Sequence, residues 1–274
     1  MKLLEKYEEL RTYKRAVLAA NFYNYETCRG IIKAASNVNQ SVILQLTPAS
    51  IEYIGLKTSI NIARSVSEEE GVKSWLHLDH CEDIELIKAC LDEGFDSVMI
   101  DASARSFDEN CRITRSVVEI ADKYNVNVEA ELGFVPKSDG IVEKEKFTEP
   151  LDVKRFVEET GVSSLAVAIG SKHGFYKGEP KLDIVRLKRI RNESNVFLVL
   201  HGASGIPEPM LKEAILNGIT KVNVVTETKD QFMKTLKTAL VNSDEIDLRK
   251  IFSVAIDDVQ KLIERKIKIL SMID

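Results

Sequence analysis

Two histidines and an aspartate lie close together in the stretch WLHLDHC, as His77, Asp79 and His80. The chain has 4 histidines, and the other two, His173 and His201, each follow a later run of apolar residues. A neutral histidine is the commonest metal ligand in proteins. Three imidazoles that leave a fourth position open form a catalytic zinc site. These residue types therefore predict a metal site.

The order of residues in the first stretch indicates which groups would bind the metal. Alternate side chains of a strand point the same way, so His77 and Asp79 share one face. His80 begins the following loop, where it can turn toward a metal above the strand ends. With His173 and His201 it offers three neutral nitrogen ligands. Asp79, adjacent in sequence, is the natural proton carrier beside such a metal.

The elements that must position these groups recur at a steady interval along the chain. Short runs rich in Val, Ile and Leu predict strands buried on both faces, which are Val17–Asn21, Val42–Leu46, Trp75–Asp79, Ser97–Asp101, Val126–Leu132, Ser164–Gly170, Val196–His201 and Lys221–Val225. Stretches with helical spacing separate most of them, and one of these begins with Asp108 as its expected N-cap. We predict an α/β fold, a single (β/α)8 TIM barrel over residues 1–274 with extra terminal helices.

Two further expectations concern the architecture. A doubly wound open sheet is the competing fold, but it usually has a glycine-rich first turn and roughly five to seven strands, and neither feature occurs here. The charged N-terminal segment MKLLEKYEELRTYKR predicts a short helix packed on the outside of the barrel. No linker or repeat divides the sequence, so we expect one domain.

The barrel prediction makes the position of each polar residue informative. Side chains at the C-terminal ends of barrel strands line the active site in enzymes of this fold. Polar residues occur at these predicted ends, where they are costly unless they are used or paired; they are Asn21, Gln45, His77, Asp79, His80, Asp101, Glu129, Glu131, His201 and Asn223. Their shared position predicts a site, although it does not assign a role to each residue.

The last two predicted strands lead into segments suited to phosphate. His201 is followed by Gly202, Ala203, Ser204 and Gly205, and small residues of this kind expose backbone amides and a hydroxyl. The last strand leads into Asn223-Val224-Val225-Thr226. The loops after strands seven and eight are the usual phosphate site of this fold, so the two segments together predict one.

Composition narrows the class of partner. A net charge of −5 argues against a nucleic-acid or anionic-membrane surface, and no run approaches the ~20 apolar residues of a membrane helix. The N-terminus lacks the apolar core of a signal peptide. The 4 cysteines show no CxxC pairing, which is typical of reduced thiols in a cytoplasmic protein.

Five segments together resemble the class II, zinc-dependent ketose-bisphosphate aldolases, which include the fructose- and tagatose-bisphosphate aldolases. They are HLDHC, VEAELG, GSKHGFY, LHGASG and KVNVVTE, which occur in the family's order and cover nearly the whole barrel.

The resemblance implies roles for particular residues. It implies that His80, His173 and His201 hold the catalytic zinc and that Asp79 is the acid or base at the C4 hydroxyl. Asp101 and Glu131 match positions that hold a second cation in some members. The residues that match the grip on dihydroxyacetone phosphate are Gly174, Gly202, Ala203, Ser204, Asn223, Val224, Val225 and Thr226, with Asn21 as a further substrate contact. The family also implies a homodimer or a higher homo-oligomer.

The chain departs from the family pattern in the segment after ELG. The family usually has two glycines and an acidic pair there, on a mobile loop that carries a second acid, whereas this chain has FVPKSDG. Asp139 is the candidate second acid, with Glu143 and Glu145 as alternatives. Lys172 replaces a small residue before His173. We expect the half of the active site that binds dihydroxyacetone phosphate to be ordinary and the half that binds the aldehyde to differ. In that second half, Lys172, Lys137 or Arg105 would suit an aldehyde with a carboxylate.

The predicted function is a cytoplasmic zinc-dependent aldolase that cleaves a phosphorylated ketose to dihydroxyacetone phosphate and an aldehyde. Three alternatives stay open at this point. The first is a relative that acts on a phosphorylated keto-acid, and the second is a sugar-phosphate-binding relative with impaired catalysis. The third, a metal-dependent hydrolase on the same fold, is disfavoured because the first strand lacks a His-x-His pair.

Overall fold

Eight parallel strands form a closed barrel in the order β1 to β8 in this computed structural model, which describes residues 1–135 and 147–273. The strands are β1 (Val17–Asn21), β2 (Val42–Leu46), β3 (Ser74–Cys81), β4 (Ser97–Ile100), β5 (Asn127–Leu132), β6 (Ser164–Val167), β7 (Phe197–Leu200) and β8 (Ile219–Val224). Nearly every strand residue is buried, because one face lines the barrel and the other contacts helices. The predicted (β/α)8 barrel is confirmed.

The helices surround this barrel, and two long ones follow the last strand. They are α1 (Leu3–Thr12), α2 (Tyr25–Asn37), α3 (Pro48–Ile54), α4 (Leu56–Glu69), α5 (Ile84–Asp92), α6 (Phe107–Ala121), α7 (Pro150–Thr160), α8 (Ile184–Glu193), α9 (Glu208–Leu216), α10 (Thr226–Val241) and α11 (Leu248–Ser271). Among the described helices, none combines the length and the apolar character needed to cross a membrane.

The boundaries of some elements differ from prediction for local reasons. The N-cap of α6 is Ser106, whose hydroxyl accepts the Glu109 N–H at 3.3 Å, so the expectation that Asp108 is the cap was wrong. Asp108 instead lies in the first turn and pairs with Arg155 at 2.8 Å. β4 ends at Ile100, one residue before Asp101, which begins the following loop.

The first helix lies at the end of the barrel and not on its outside, which corrects the prediction. Leu3, Tyr7 and Leu10 of α1 are buried and cluster with inward-facing residues near the start of the first three strands, including Val17 and Trp75. The neighbouring residues of those strands belong to the separate layer between barrel and helices. The apolar face of α1 therefore closes the N-terminal end of the barrel, opposite the strand ends that carry the polar residues.

Tyr7 offers a test of this closure. Its side chain is 0% exposed, and its hydroxyl has no hydrogen-bond partner in the described part of the chain. We expect Tyr7→Ala to lower the free energy of unfolding by about 3–5 kcal/mol, as for other large buried aromatics. Tyr7→Phe should leave it unchanged or raise it, since an unpaired buried hydroxyl costs about 1–3 kcal/mol. Urea unfolding measures both, with Tyr13→Ala as the exposed control at 66%; equal losses in Tyr7→Ala and Tyr13→Ala would contradict the closure.

Candidate active site

Three histidines from three parts of the chain meet at the C-terminal mouth of the barrel. His80 lies near the end of β3, His173 lies in the loop after β6, and His201 directly follows β7. The ring centroid of His80 lies 5.1 Å from that of His173 and 4.6 Å from that of His201. One nitrogen from each ring lies within 4.8 Å of the others, which is close enough for one metal ion.

A local irregularity in β3 turns His80 into this cluster. Regular alternation would point it away from Asp79 and out of the barrel. The pairing of β3 with β4 shifts register between Leu78 and Cys81, and His80 takes a left-handed backbone conformation with φ 48°. A bulge of this kind re-aims a side chain, here into the mouth of the barrel.

The nitrogen atoms of His80 fit a metal site. Its Nδ1–H donates to Asp101 Oδ2 at 2.7 Å, which leaves Nε2 as the nitrogen available to the cluster. That Nε2 is buried and has no hydrogen-bond partner among the described residues. A carboxylate behind one histidine nitrogen and a free lone pair on the other is the usual arrangement of a metal-bound histidine. Three imidazoles of this kind suit zinc.

The charges around the cluster also fit a cation. Burial, followed by the neighbouring His80 and His201, lowers the pKa of His173 to about 3, so this ring is neutral. Burial alone would lower the pKa of His80, but Asp79, Asp101 and Glu131 raise it to about 9. In the protein without metal, the carboxylates therefore hold a proton on His80. A metal cation would take its place.

A second group of possible ligands shares His80 with Asp101 and Glu131, whose ligand atoms also lie within 4.8 Å of one another. Glu131 Oε2 lies 3.2 Å from Nδ1 of His201, and Glu131 Oε1 accepts the Val135 N–H at 3.2 Å. The two acidic residues that the resemblance associated with a second cation are thus brought together beside the histidine cluster.

Asp79 lies inside the mouth, held by two amides. Asn21 Nδ2 donates to one carboxylate oxygen at 3.1 Å and Asn223 Nδ2 donates to the other at 3.3 Å. Gln45 Nε2 in turn donates to Asn21 Oδ1 at 3.2 Å. Burial alone would raise the pKa of Asp79, but positive groups, led by His80 and then Lys221, lower it to about 2. Asp79 is therefore an oriented carboxylate that can accept a proton.

The two segments predicted to bind phosphate lie side by side. The Ala203 N–H donates to Asn223 O at 3.3 Å, and Ser204 Oγ accepts the N–H groups of Thr226 at 3.1 Å and Glu227 at 3.3 Å. Ser204 thus caps α10, whose N-terminus favours an anion. The side-chain carboxylate of Glu227 accepts the Gly205 N–H and forms an ion pair with Lys266 of α11 at 2.8 Å. Lys266 therefore offsets the negative charge of Glu227.

Tyr176 joins the loop that carries His173 to the segment after β7. Its hydroxyl accepts the Lys172 N–H at 2.9 Å and donates to Gly202 O at 2.9 Å. The backbones are so close that a Cβ at Gly202 would lie 2.5 Å from Lys172 O. The φ of Gly202 is +65°. The loop that carries the candidate metal ligand His173 and the candidate phosphate segment are therefore packed directly against each other.

This close approach predicts a difference between two glycines. Alanine at Gly202 or Gly205 meets a left-handed backbone, with φ +65° or +84°, which costs about 1–3 kcal/mol in either case. Only Gly202→Ala also forces the Lys172 backbone away, since the nearest atom to a Cβ at Gly205 is Tyr176 Cδ2 at 3.5 Å. We expect Gly202→Ala to lower stability more and to raise KM for a phosphorylated substrate. Thermal unfolding and steady-state kinetics on both variants measure this, and matched losses would contradict it.

The structure describes some of the remaining predicted residues, and the others lie outside the described residues. Gly174, with φ +92°, directly follows His173, and Val224, Val225 and Thr226 form the junction between β8 and α10. Lys172 is half-buried, whereas Arg105 is exposed. Several expected groups lie outside the described residues, namely Lys137, Asp139, Glu143 and Glu145.

One buried group was given no role by sequence reasoning. Lys221 of β8 is 0% exposed, and its Nζ lies 2.8 Å from Glu129 Oε2 and 3.3 Å from His77 Nε2. Its signal was available in the sequence, because strand alternation places Lys221 on the same face as Asn223. A lysine on an inward face must find a partner.

Comparisons with known proteins identify the family of this chain. The family model for class II fructose-bisphosphate aldolase matches residues 1–274. A fructose-bisphosphate aldolase from Geobacillus stearothermophilus is 39% identical over 261 residues, which cover 93% of this chain and 91% of the relative.

Solved structures give the same result. The YdjI aldolase from Escherichia coli K12 superposes with a TM-score of 0.87 at 30% identity, covering 98% of this chain and 96% of that one. The fructose-bisphosphate aldolase of Campylobacter jejuni, at 23% identity and a TM-score of 0.83 over 99% of this chain and 94% of its own, shares the fold. With a family match over its whole length, the chain belongs to the class II fructose-bisphosphate aldolases and is an aldehyde-lyase.

Proposed function

We propose that this aldolase is zinc-dependent and reversibly cleaves a phosphorylated ketose, of the ketose 1,6-bisphosphate type, to dihydroxyacetone phosphate and an aldehyde. Two observations carry the proposal: the buried Nε2 of His80 has no hydrogen-bond partner among the described residues, and one nitrogen each of His80, His173 and His201 lies within 4.8 Å of the others. An oriented carboxylate, Asp79, lies in the same mouth. Family membership also favours a cytoplasmic homo-oligomer.

His80, His173 and His201 would hold the zinc. Zinc, when bound, supplies a Lewis acid that stabilises the negative charge developing on the substrate as a carbon–carbon bond breaks. The protein supports this by keeping His173 neutral and by fixing the ring of His80 through Asp101. Asp101 and Glu131 are the groups that a second cation would use in addition.

Asp79 would remove the proton of the C4 hydroxyl. As that oxygen becomes the carbonyl of the aldehyde, the C3–C4 bond breaks and its electron pair stays with the three-carbon phosphate fragment. Each carboxylate oxygen of Asp79 accepts one amide N–H, from Asn21 or Asn223, and retains a lone pair for the incoming proton. A second acid must then protonate C3 of the fragment, a role we assign to Asp139, with Glu143 or Glu145 as the alternative.

The phosphate of the three-carbon fragment would lie against the joined loops after β7 and β8. Gly174, Gly202, Ala203 and Ser204 would supply one side, and Asn223 to Thr226 the other. The support for this placement is the N-terminus of α10 next to Ser204. The buried Oδ1 of Asn223, which has no partner within the described ranges, is a hydrogen-bond acceptor and would suit a hydroxyl of the substrate instead of its phosphate. Asn21, held between Asp79 and Gln45, would be a further substrate contact.

The aldehyde half of the substrate is the part in which we expect this enzyme to differ. Lys172 precedes the metal ligand His173 and is half-buried at the mouth. A cation there favours an aldehyde that carries a carboxylate or another anionic group. Substrates with such a group, including phosphorylated keto-acids, therefore belong in the test.

The experiment is a coupled assay for release of dihydroxyacetone phosphate from a panel of phosphorylated ketoses and keto-acids. Each is measured with zinc and again after chelation. The proposal predicts release that chelation abolishes and zinc restores, with at least one ketose bisphosphate among the substrates. Release that survives complete removal of metal would overturn zinc dependence, and release from keto-acids alone would overturn the ketose assignment.

A further inference from the structure

A hydrogen-bonded series of polar side chains crosses the interior of the barrel and ends at His201 of the histidine cluster. Four of its members come from different strands and the fifth, His201, directly follows β7; each is 0% exposed. Burying charged groups so completely is costly unless every one is paired in good geometry. The members of this series are, in order, Ser97, His77, Lys221, Glu129 and His201.

Lys221 determines the direction of the hydrogen bonds in this series, because an ammonium group has three donors and no acceptor. It donates to both oxygens of Glu129, at 3.0 Å and 2.8 Å. It also donates to His77 Nε2 at 3.3 Å, so the other nitrogen of His77 carries the proton and donates to Ser97 Oγ at 2.9 Å. Ser97 Oγ passes the series on by donating to Asn127 O at 3.4 Å.

The same reasoning applies on the side of the metal site. Glu129, paired with Lys221, is a carboxylate and can only accept. His201 Nε2 lies 2.9 Å from Glu129 Oε1 and must therefore carry a proton and donate it. The nitrogen of His201 left with a lone pair for a metal is Nδ1. That atom faces Glu131 Oε2 at 3.2 Å, a contact between two electron-rich atoms unless a proton or a cation lies between them.

We propose that Lys221 is a positioning residue for the metal centre: through Glu129, it fixes His201 as the Nε2–H tautomer and makes Nδ1 the zinc-binding atom. The inference rests on the zinc site of the proposed function. Lys221 and Glu129 act only through His201. Glu129 accepts from one nitrogen of His201 as Asp101 accepts from one nitrogen of His80. The difference is that Glu129 is also ion-paired with Lys221.

The geometry makes Glu129→Gln a sharp test. Because Lys221 contacts both carboxylate oxygens, a glutamine amide in either orientation turns an N–H toward the ammonium. Neither orientation is favourable, and the one that places the N–H at the Oε1 position also removes the acceptor of His201 Nε2. Adding Lys221→Met removes the ammonium, so the glutamine oxygen is again free to accept from His201 Nε2. Replacing both members of a buried pair is also better tolerated than replacing one.

Zinc affinity, measured by competition with a chromophoric chelator, is the first readout. We expect it to fall about 10–100-fold in Glu129→Gln, as for other partners of metal-bound histidines, and to recover in the double variant. Thermal unfolding of the metal-free proteins separates this effect from lost stability. Unchanged affinity in Glu129→Gln, or no recovery in a folded double variant, would overturn the proposal.

Nitrogen-15 NMR of the histidines in the wild-type protein is the second readout and needs no variant. With 4 histidines in the chain, the His201 signals can be assigned by substitution. We expect zinc to shift Nδ1 of His201 while Nε2 keeps its proton. Coordination through Nε2 would overturn this inference alone. A wild-type protein that binds no zinc would instead overturn the proposed function.

Discussion

Replacing Asp79 with alanine should reduce kcat for release of dihydroxyacetone phosphate by about 10²–10⁴-fold, the usual contribution of a positioned general base. The physical reason is that the Asp79 carboxylate is oriented by Asn21 and Asn223 and is ionised, with a pKa lowered to about 2, as the proposed base at the C4 hydroxyl must be. KM should change less than kcat, because the three histidines and the loop after β7 are untouched and only Asn21 and Asn223 lose a partner. Steady-state kinetics with the preferred ketose measures both quantities.

The control for Asp79→Ala is Glu82→Ala, which removes an exposed carboxylate three positions further along the chain. Glu82→Ala should retain full activity. Zinc content should be equal in the two variants, because Asp79 is adjacent to His80 but belongs to neither group of possible metal ligands. An Asp79→Ala enzyme with its full zinc content and with kcat near the wild-type value would exclude Asp79 as the base.

His173→Ala should be the other variant with a very large effect. His173 is one of the three grouped histidines, and burial keeps it neutral, so its loss removes a proposed ligand that could bind metal without first releasing a proton. We expect zinc to be lost on dialysis and activity to fall to the level of the chelated wild-type enzyme. Metal analysis by mass spectrometry, with the aldolase assay on the same samples, measures this.

The control for His173→Ala is Lys177→Ala, an exposed position in the same loop. It should keep both zinc and activity. The two variants should also have similar free energies of unfolding without metal, since a neutral histidine whose ring faces the barrel mouth contributes little to the packed core. A His173→Ala enzyme that retains its zinc would show that the metal uses a different set of ligands.

The barrel was predictable from the sequence because its signal repeats along the whole chain. Val17–Asn21 and Val42–Leu46 match β1 and β2 at both ends, since a strand buried on both faces is apolar over most of its length. The ends of β4 and β7 were placed too late by one residue, because Asp101 and His201 turn out of the sheet to reach the mouth. At these two strands, the polar residue that marks the strand end is thus also the one that leaves the strand.

The position of α1 was not predictable from its charge alone. Its sequence has charged residues in every turn, and these conceal the three side chains, Leu3, Tyr7 and Leu10, that enter the barrel. Spacing of these residues at three and four positions was the available signal. Where such a face packs depends on an opening at the barrel base, which is a property of the assembled strands and not of the helix.

The histidine cluster was predictable in its members, and its electrostatic setting was not. Strand ends placed His80, His173 and His201 near one another, as the structure bears out. The sequence did not indicate that a β-bulge turns His80 inward, or that Lys221 pairs with Glu129 behind His201. Both depend on register between strands distant in sequence, which local patterns do not encode.

The most direct test of the central claim is a zinc titration of the metal-free enzyme. Chelation removes the metal, and release of dihydroxyacetone phosphate is measured as zinc is returned in known amounts, with bound zinc determined in each sample. The three-histidine site predicts that activity rises in proportion to bound zinc and is complete at about one ion per chain. Full activity in enzyme shown to contain no metal, or bound zinc without any gain in activity, would contradict it.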